Sequence, residues 1–152
     1  MKTKKLTVGI SLRIMESTDY NERRDALSQD WSKFFEKLEI NPLLIPNTIK
    51  NVSEFLEDMQ VQGLFLSGGD NVGDNQDRDI TEQKIIDYCL EKKIPLIGIC
   101  RGMQVINTFF GGGIETLENS KHVGDPHFVS LNENVAEFLH TDKLQVNSFH
   151  NN

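Results

Sequence analysis

The stretch from Pro95 to Gly113, PLIGICRGMQVINTFFGGG, limits what this 152-residue chain can fold into more than any other part of it. Pro95 to Ile99 is a short apolar run rich in Ile and Leu, the length of a buried strand. After Cys100 the period changes. Met103, Ile106, Asn107 and Phe110 fall at helical spacing, and Gly111 to Gly113 then stop the helix. Cys100 therefore sits on the turn from strand to helix, with Gly98 and Gly102 flanking it in a G-x-C-x-G pattern. That is the layout of a nucleophile elbow with cysteine in place of serine. The two glycines permit close backbone approach on either side of a strained turn. The helix N-terminus adds backbone N–H groups and a partial positive charge, which favour a thiolate. A lone cysteine reads as a small buried hydrophobe. The coincidence of strand, glycines, cysteine and helix makes the nucleophile the better reading.

Strands and helices alternate along the chain. Leu6–Leu12 reads as a first strand ending near Arg13, and residues 14–21 as a polar loop. A helix is expected from Glu22, with Leu27, Trp31, Phe34, Phe35 and Leu38 on one face. Asn41–Pro46 reads as a second strand. Asn51 and Glu54 match a capping box for a helix carrying Val52, Phe55, Leu56 and Met59. Gly63–Leu66 reads as a third strand running into Ser67-Gly68-Gly69-Asp70, followed by an exposed loop from Asn71 to Asp79. Asp79 and Glu82 match another capping box, for a helix burying Ile85, Ile86, Cys89 and Leu90. Cys89 lies on that apolar face and reads as core. This alternation implies βαβ units, a mainly parallel, doubly wound α/β sheet, and Cys100 at the carboxyl end of a central strand. After Gly113 come Lys121–Leu131, a brief apolar run at Val135–Leu139, and a last strand at Leu144–Ser148. No linker or internal repeat interrupts the chain, so one domain over residues 1–152 is expected.

On the residues GICRGMQVIN and the glycine run after them, the chain resembles the class I glutamine amidotransferases. More narrowly it resembles their γ-glutamyl hydrolase branch, of the peptidase C26 type. The resemblance implies a flavodoxin-like fold and hydrolysis of a γ-glutamyl amide through a cysteine thioester on Cys100. It gives the backbone N–H of Arg101 as one oxyanion donor and that of Gly69, in the second glycine loop, as the other. Gln104 matches the side chain that holds the glutamyl group. VNSFHNN resembles a glutamyl-binding strand end, which adds Asn147, Ser148 and His150 to the substrate side. This chemistry needs no metal and no organic cofactor. The implied partner is a small-molecule γ-glutamyl substrate, and a homodimer is left open.

The family places its base, a His-x-Glu pair, well after the segment resembling VNSFHNN, and this sequence reaches Asn152 before any such motif. None of His122, His127, His140 and His150 has that pattern, so none is assigned as the base. The expectation is a chain incomplete at its C-terminus, lacking late strands and a closing helix. The alternative is a non-catalytic relative that binds a ligand or partner. A redox protein sharing the elbow cysteine is a third reading, opposed by Gln104 and the Gly68-Gly69 loop.

Composition narrows the partners. The formal net charge is −7 with no basic stripe, which argues against nucleic acid and anionic membranes. A small anionic substrate held by a local arginine stays compatible with it. No apolar run approaches the ~20 residues of a membrane span. The apolar part of MKTKKLTVGI is too short for a secretory signal. Two cysteines without a spaced Cys/His cluster suit a reducing cytoplasm and a free catalytic thiol.

Overall fold

The computed structural model describes residues 4–115 and 124–148, and the chain divides into two compact units, Met1–Gly113 and Ile114–Asn152. The first unit is an α/β layer structure. Its sheet has four parallel strands in the order β4-β1-β5-β6: β1 Thr7–Ser11, β4 Asn41–Ile45, β5 Gly63–Leu66 and β6 Leu96–Gly98. Helices α1 (Gln29–Lys37), α2 (Val52–Asp58), α3 (Gln76–Lys92) and α4 (Arg101–Phe109) connect and cover the strands. β1 and β5 carry continuous apolar runs because both their faces are covered. Ile10, Leu64 and Leu66 are almost fully buried.

Two apolar clusters hold this unit together. One gathers Ile45, Leu56, Leu64, Leu66, Ile85 and Ile86 between the sheet and α2 to α4. The other sets Phe35 against Val8, Ile10 and Phe65, with Trp31 stacked on Phe35 at 5.6 Å. The spacing of Trp31, Phe34 and Phe35 places these rings together on one face of α1. Asn51 caps α2 as its sequence implies: its side chain accepts the Glu54 N–H at 3.2 Å and donates to the Glu54 carboxylate at 2.8 Å.

Three expectations are corrected. The expected polar loop is confined to residues 17–22, the connection of an antiparallel hairpin that pairs β2 (Arg13–Glu16) with β3 (Arg23–Ala26), and α1 starts not at Glu22 but only after the Ser28 cap. The hairpin residues are mostly polar and exposed, so no alternation announced them. Asp79 and Glu82 do not cap a helix. α3 begins at Gln76 after Asn75, so Asp79 falls in its first turn and Glu82 beyond it, on the buried face. Among the described residues β6 is an edge strand rather than a central one, which leaves Ile97 51% and Ile99 40% exposed.

In the second unit β7 (His127–Ser130) pairs antiparallel with β8 (Lys143–Val146), and α5 (Glu133–Leu139) connects them. The run at Val135–Leu139 is thus helical. Its cap is Asn132, whose side chain accepts the Val135 N–H at 3.0 Å.

Candidate active site

Cys100 stands between the end of β6 and the first turn of α4, with φ 54° and ψ −113°. A non-glycine residue at such a φ costs on the order of 1–3 kcal/mol and persists only where its surroundings impose it. The surroundings here are the two flanking glycines. A Cβ at Gly98 would come within 2.5 Å of the Gly102 carbonyl, and one at Gly102 would drive into the Leu66 carbonyl of β5. The Ile99 N–H donates to that same Leu66 carbonyl at 3.0 Å. The elbow is thus pinned on the adjacent strand, with no room for a side chain on either side of the cysteine.

The second glycine loop meets the elbow. A Cβ placed on Gly68 would lie 3.3 Å from the Cys100 Cβ and 3.8 Å from its Sγ. The next residue, Gly69, has φ +100°, a conformation that favours glycine. The Cys100 side chain stays partly accessible. Cys89 differs in every respect. It is buried in the main apolar cluster, and desolvation pushes its thiol from an ordinary 9.0 up to about 11.

Beneath both loops lies a buried polar network. Glu82 is its centre: one carboxylate oxygen accepts from Ser11 Oγ at 2.7 Å and from Arg78 Nε at 3.0 Å, and the other from Arg101 Nη1. Arg101 also pairs with Asp79. Arg78 donates to the Ser67 carbonyl at 2.8 Å, to the Gly68 carbonyl at 3.1 Å and to Asp70 at 3.1 Å. The Ser67 N–H in turn donates to Ser11 Oγ at 3.0 Å. Arg78, Glu82 and Arg101 are essentially inaccessible to water. One helix, α3, therefore ties the elbow through Arg101 and the glycine loop through Arg78. Buried charges are tolerable only with this density of partners.

The first unit brings Cys100, Arg101, Gln104 and the Gly68-Gly69 loop to the carboxyl ends of β5 and β6. Ligands of open α/β sheets bind at such strand ends. Gln104 is buried one turn into α4, and its N–H donates to the Cys100 carbonyl at 3.3 Å. Asn147 and Ser148 lie in the second unit, just after β8. Ser148 is buried, and its carbonyl accepts the Gly124 N–H at 2.7 Å. His150 and His122 lie outside the described residues. His127 opens β7, and His140 occupies the left-handed C-cap of α5. Among the described residues no group of His, Cys, Asp and Glu side chains could hold a metal ion.

The model of the Peptidase C26 family matches residues 7–152. This chain belongs to that family. The C26 chain is 34% identical over 151 residues to the γ-glutamyl-CDP-amidate hydrolase of Campylobacter jejuni, an alignment covering 95% of this chain and 70% of the relative. It is 32% identical over 107 residues to a putative glutamine amidotransferase-like protein of Rickettsia prowazekii, covering 59% of this chain and 36% of that one. A glutamine amidotransferase structure from Thermotoga maritima superposes with a TM-score of 0.66 at 16% identity, covering 98% of this chain and 62% of the other. That likeness establishes the class I amidotransferase fold. The chain thus matches between about a third and 70% of the length of these proteins.

Sequence reasoning missed the ionic network of this C26 chain. The signal was nonetheless present. Ile85, Ile86 and Cys89 mark the buried face of α3, and extending that stripe by one and two turns toward the N-terminus lands on Thr81, Glu82 and Arg78. Two charged residues on the inner face of a helix ask for buried partners, and the arginine after the elbow cysteine is one.

Proposed function

We propose that this C26 chain hydrolyses a γ-glutamyl amide, releasing glutamate and an amine, through a thioester on Cys100. The observation that carries the reading is the strained elbow, φ 54° at Cys100, held against the Gly68-Gly69 loop. In the first step the Cys100 sulfur bonds to the γ-carbonyl carbon and the C–N bond breaks. The amine departs with a proton and leaves a glutamyl thioester. In the second step water adds to the thioester, the C–S bond breaks, and glutamate and the thiol are formed. Each step passes through a tetrahedral oxyanion, for which the backbone N–H groups of Gly69 and Arg101 serve as donors. One such donor is typically worth roughly 10²–10³ in rate.

Gln104 holds the glutamyl group, with Asn147, Ser148 and His150 on the same substrate. The reaction calls for a histidine oriented by a carboxylate as general acid and base, and none of the four histidines present is assigned that role. The leaving amine is small or nucleotide-borne, the second being the chemistry in the name of the Campylobacter relative. No cofactor takes part. A reducing cytoplasm would keep both cysteines as the free thiols seen here. No helix among the described residues is long and apolar enough to cross a membrane.

The test is to treat the protein with a chloroketone analogue of glutamine and map the adduct by peptide mass spectrometry. The adduct is expected on Cys100 and should be lost in Cys100→Ala. Labelling of Cys89 instead, or none at all, would count against the reading.

A further inference from the structure

The chain has five arginines, and four of them are matched by carboxylates. Arg23 pairs with Asp77, Arg24 with Glu22, Arg78 with Asp70 and Glu82, and Arg101 with Asp79 and Glu82. Arg13 alone has no carboxylate partner among the described residues, and its buried Nε, like that of Arg101, makes no hydrogen bond. A partly buried guanidinium with no carboxylate beside it is costly, and in a chain of net charge −7 it stands out.

Its position gives it a task. Arg13 follows the carboxyl end of β1, where ligands of such sheets bind. Its side chain lies across the second glycine loop: a Cβ on Gly69 would sit 3.0 Å from Arg13 Cδ and 3.3 Å from its Cβ. Arg13 lines an open cleft of about 230 Å³ together with Leu27, Trp31, Ser67, Gly68 and Ile99. It is the one charged residue in that lining. Gly68, in the same wall, lies so near the nucleophile that a Cβ on it would be 3.8 Å from Cys100 Sγ. The cleft thus offers an apolar flank and a single cation beside the nucleophile.

We propose that Arg13 binds an anionic group, carboxylate or phosphate, carried by the leaving amine, with the hydrocarbon part of that amine on Trp31, Leu27 and Ile99. The inference rests on the γ-glutamyl reading above, in which Gln104 takes the glutamyl side. A guanidinium suits both anions because its fork matches their paired oxygens. The shape of the cleft does not separate them, but a binding series does.

The experiment is calorimetric titration of the Cys100→Ser protein, which prevents turnover. The ligands are γ-glutamyl-γ-aminobutyrate, the γ-glutamyl amide of aminopropylphosphonate, and the neutral γ-glutamyl butylamide. Both anionic amides should bind about tenfold or more tightly than the neutral one. Added Arg13→Gln should erase that preference, leave butylamide binding unchanged and leave thermal unfolding unchanged. Arg13→Lys should retain part of the preference, because it keeps the charge without the fork. A preference for only one anion would identify which is native. Equal weakening of all three amides by Arg13→Gln would overturn the proposal, since Arg13 would then read the glutamyl carboxylate. Unchanged preference in Arg13→Gln would overturn it too. Failure of all three to bind would instead overturn the γ-glutamyl reading itself, and this inference with it.

Discussion

The two units of the chain are stabilised in different ways. Every fully buried apolar side chain among the described residues belongs to the first, whereas β7, α5 and β8 bury none. Phe128 and Phe138, the aromatic rings of those elements, are 68% and 81% exposed. The first unit combines a close-packed core with an ionic centre in which Arg78, Glu82 and Arg101 are all paired. The second is held by one antiparallel strand pair and an asparagine cap. The lesson is that the elbow draws its rigidity from its own unit: β5 behind it, α3 beside it and Glu82 beneath it. The histidines are divided the other way, with all four after Gly113. The nucleophile and its proposed oxyanion donors therefore belong to the unit with the core, and none of the four histidines does.

The sharpest way to break this comparison is Glu82→Ala. Two buried arginines would lose their shared carboxylate, and breaking a buried pair typically costs about 3–5 kcal/mol. Urea unfolding should show a loss of that size, together with slower alkylation of Cys100. A change below about 1 kcal/mol would mean the network is dispensable. Next in size is Ile85→Ala, in the centre of the main cluster, with an expected loss of about 2–5 kcal/mol in the same titration.

A pH series sharpens the same contrast at Cys89. Burial raises its folded pKa to about 11 from an ordinary 9.0, so the folded state binds the thiol proton more tightly than the unfolded chain does. That contribution to stability is complete below pH 9.0 and is lost as pH rises toward about 11. Cys89→Ala should flatten the stability curve across that window, and an unaltered slope would contradict the burial argument. The smallest effect is expected in the second unit. Phe138→Ser removes an exposed ring and should change stability by no more than about 0.5 kcal/mol. A loss of several kcal/mol would show that Phe138 is covered in solution.

The strands at Thr7–Ser11 and Gly63–Leu66 were legible because buried parallel strands are mainly apolar runs. The elbow was legible because its glycines are sterically required on both sides of Cys100. The β2–β3 hairpin was not, since its pairing is a backbone matter and its side chains are mostly polar and exposed. Asp79 and Glu82 misled because a carboxylate three residues after another suits a cap and an inward ion pair equally well. Only the tertiary position of Arg101, nineteen residues after Glu82, decides between them. Arg13 looked like the end of a strand. Its lack of a partner becomes visible only once the other four arginines are seen to have theirs.

The proposed reaction puts the glutamyl group on Cys100. The most direct measurement mixes the protein with a γ-glutamyl anilide in the presence of hydroxylamine, which intercepts a thioester as the hydroxamate. γ-Glutamyl hydroxamate is expected in step with released aniline, and neither product from the Cys100→Ser protein. Aniline release that survives in Cys100→Ser, or that proceeds in the native protein without any hydroxamate, would contradict it.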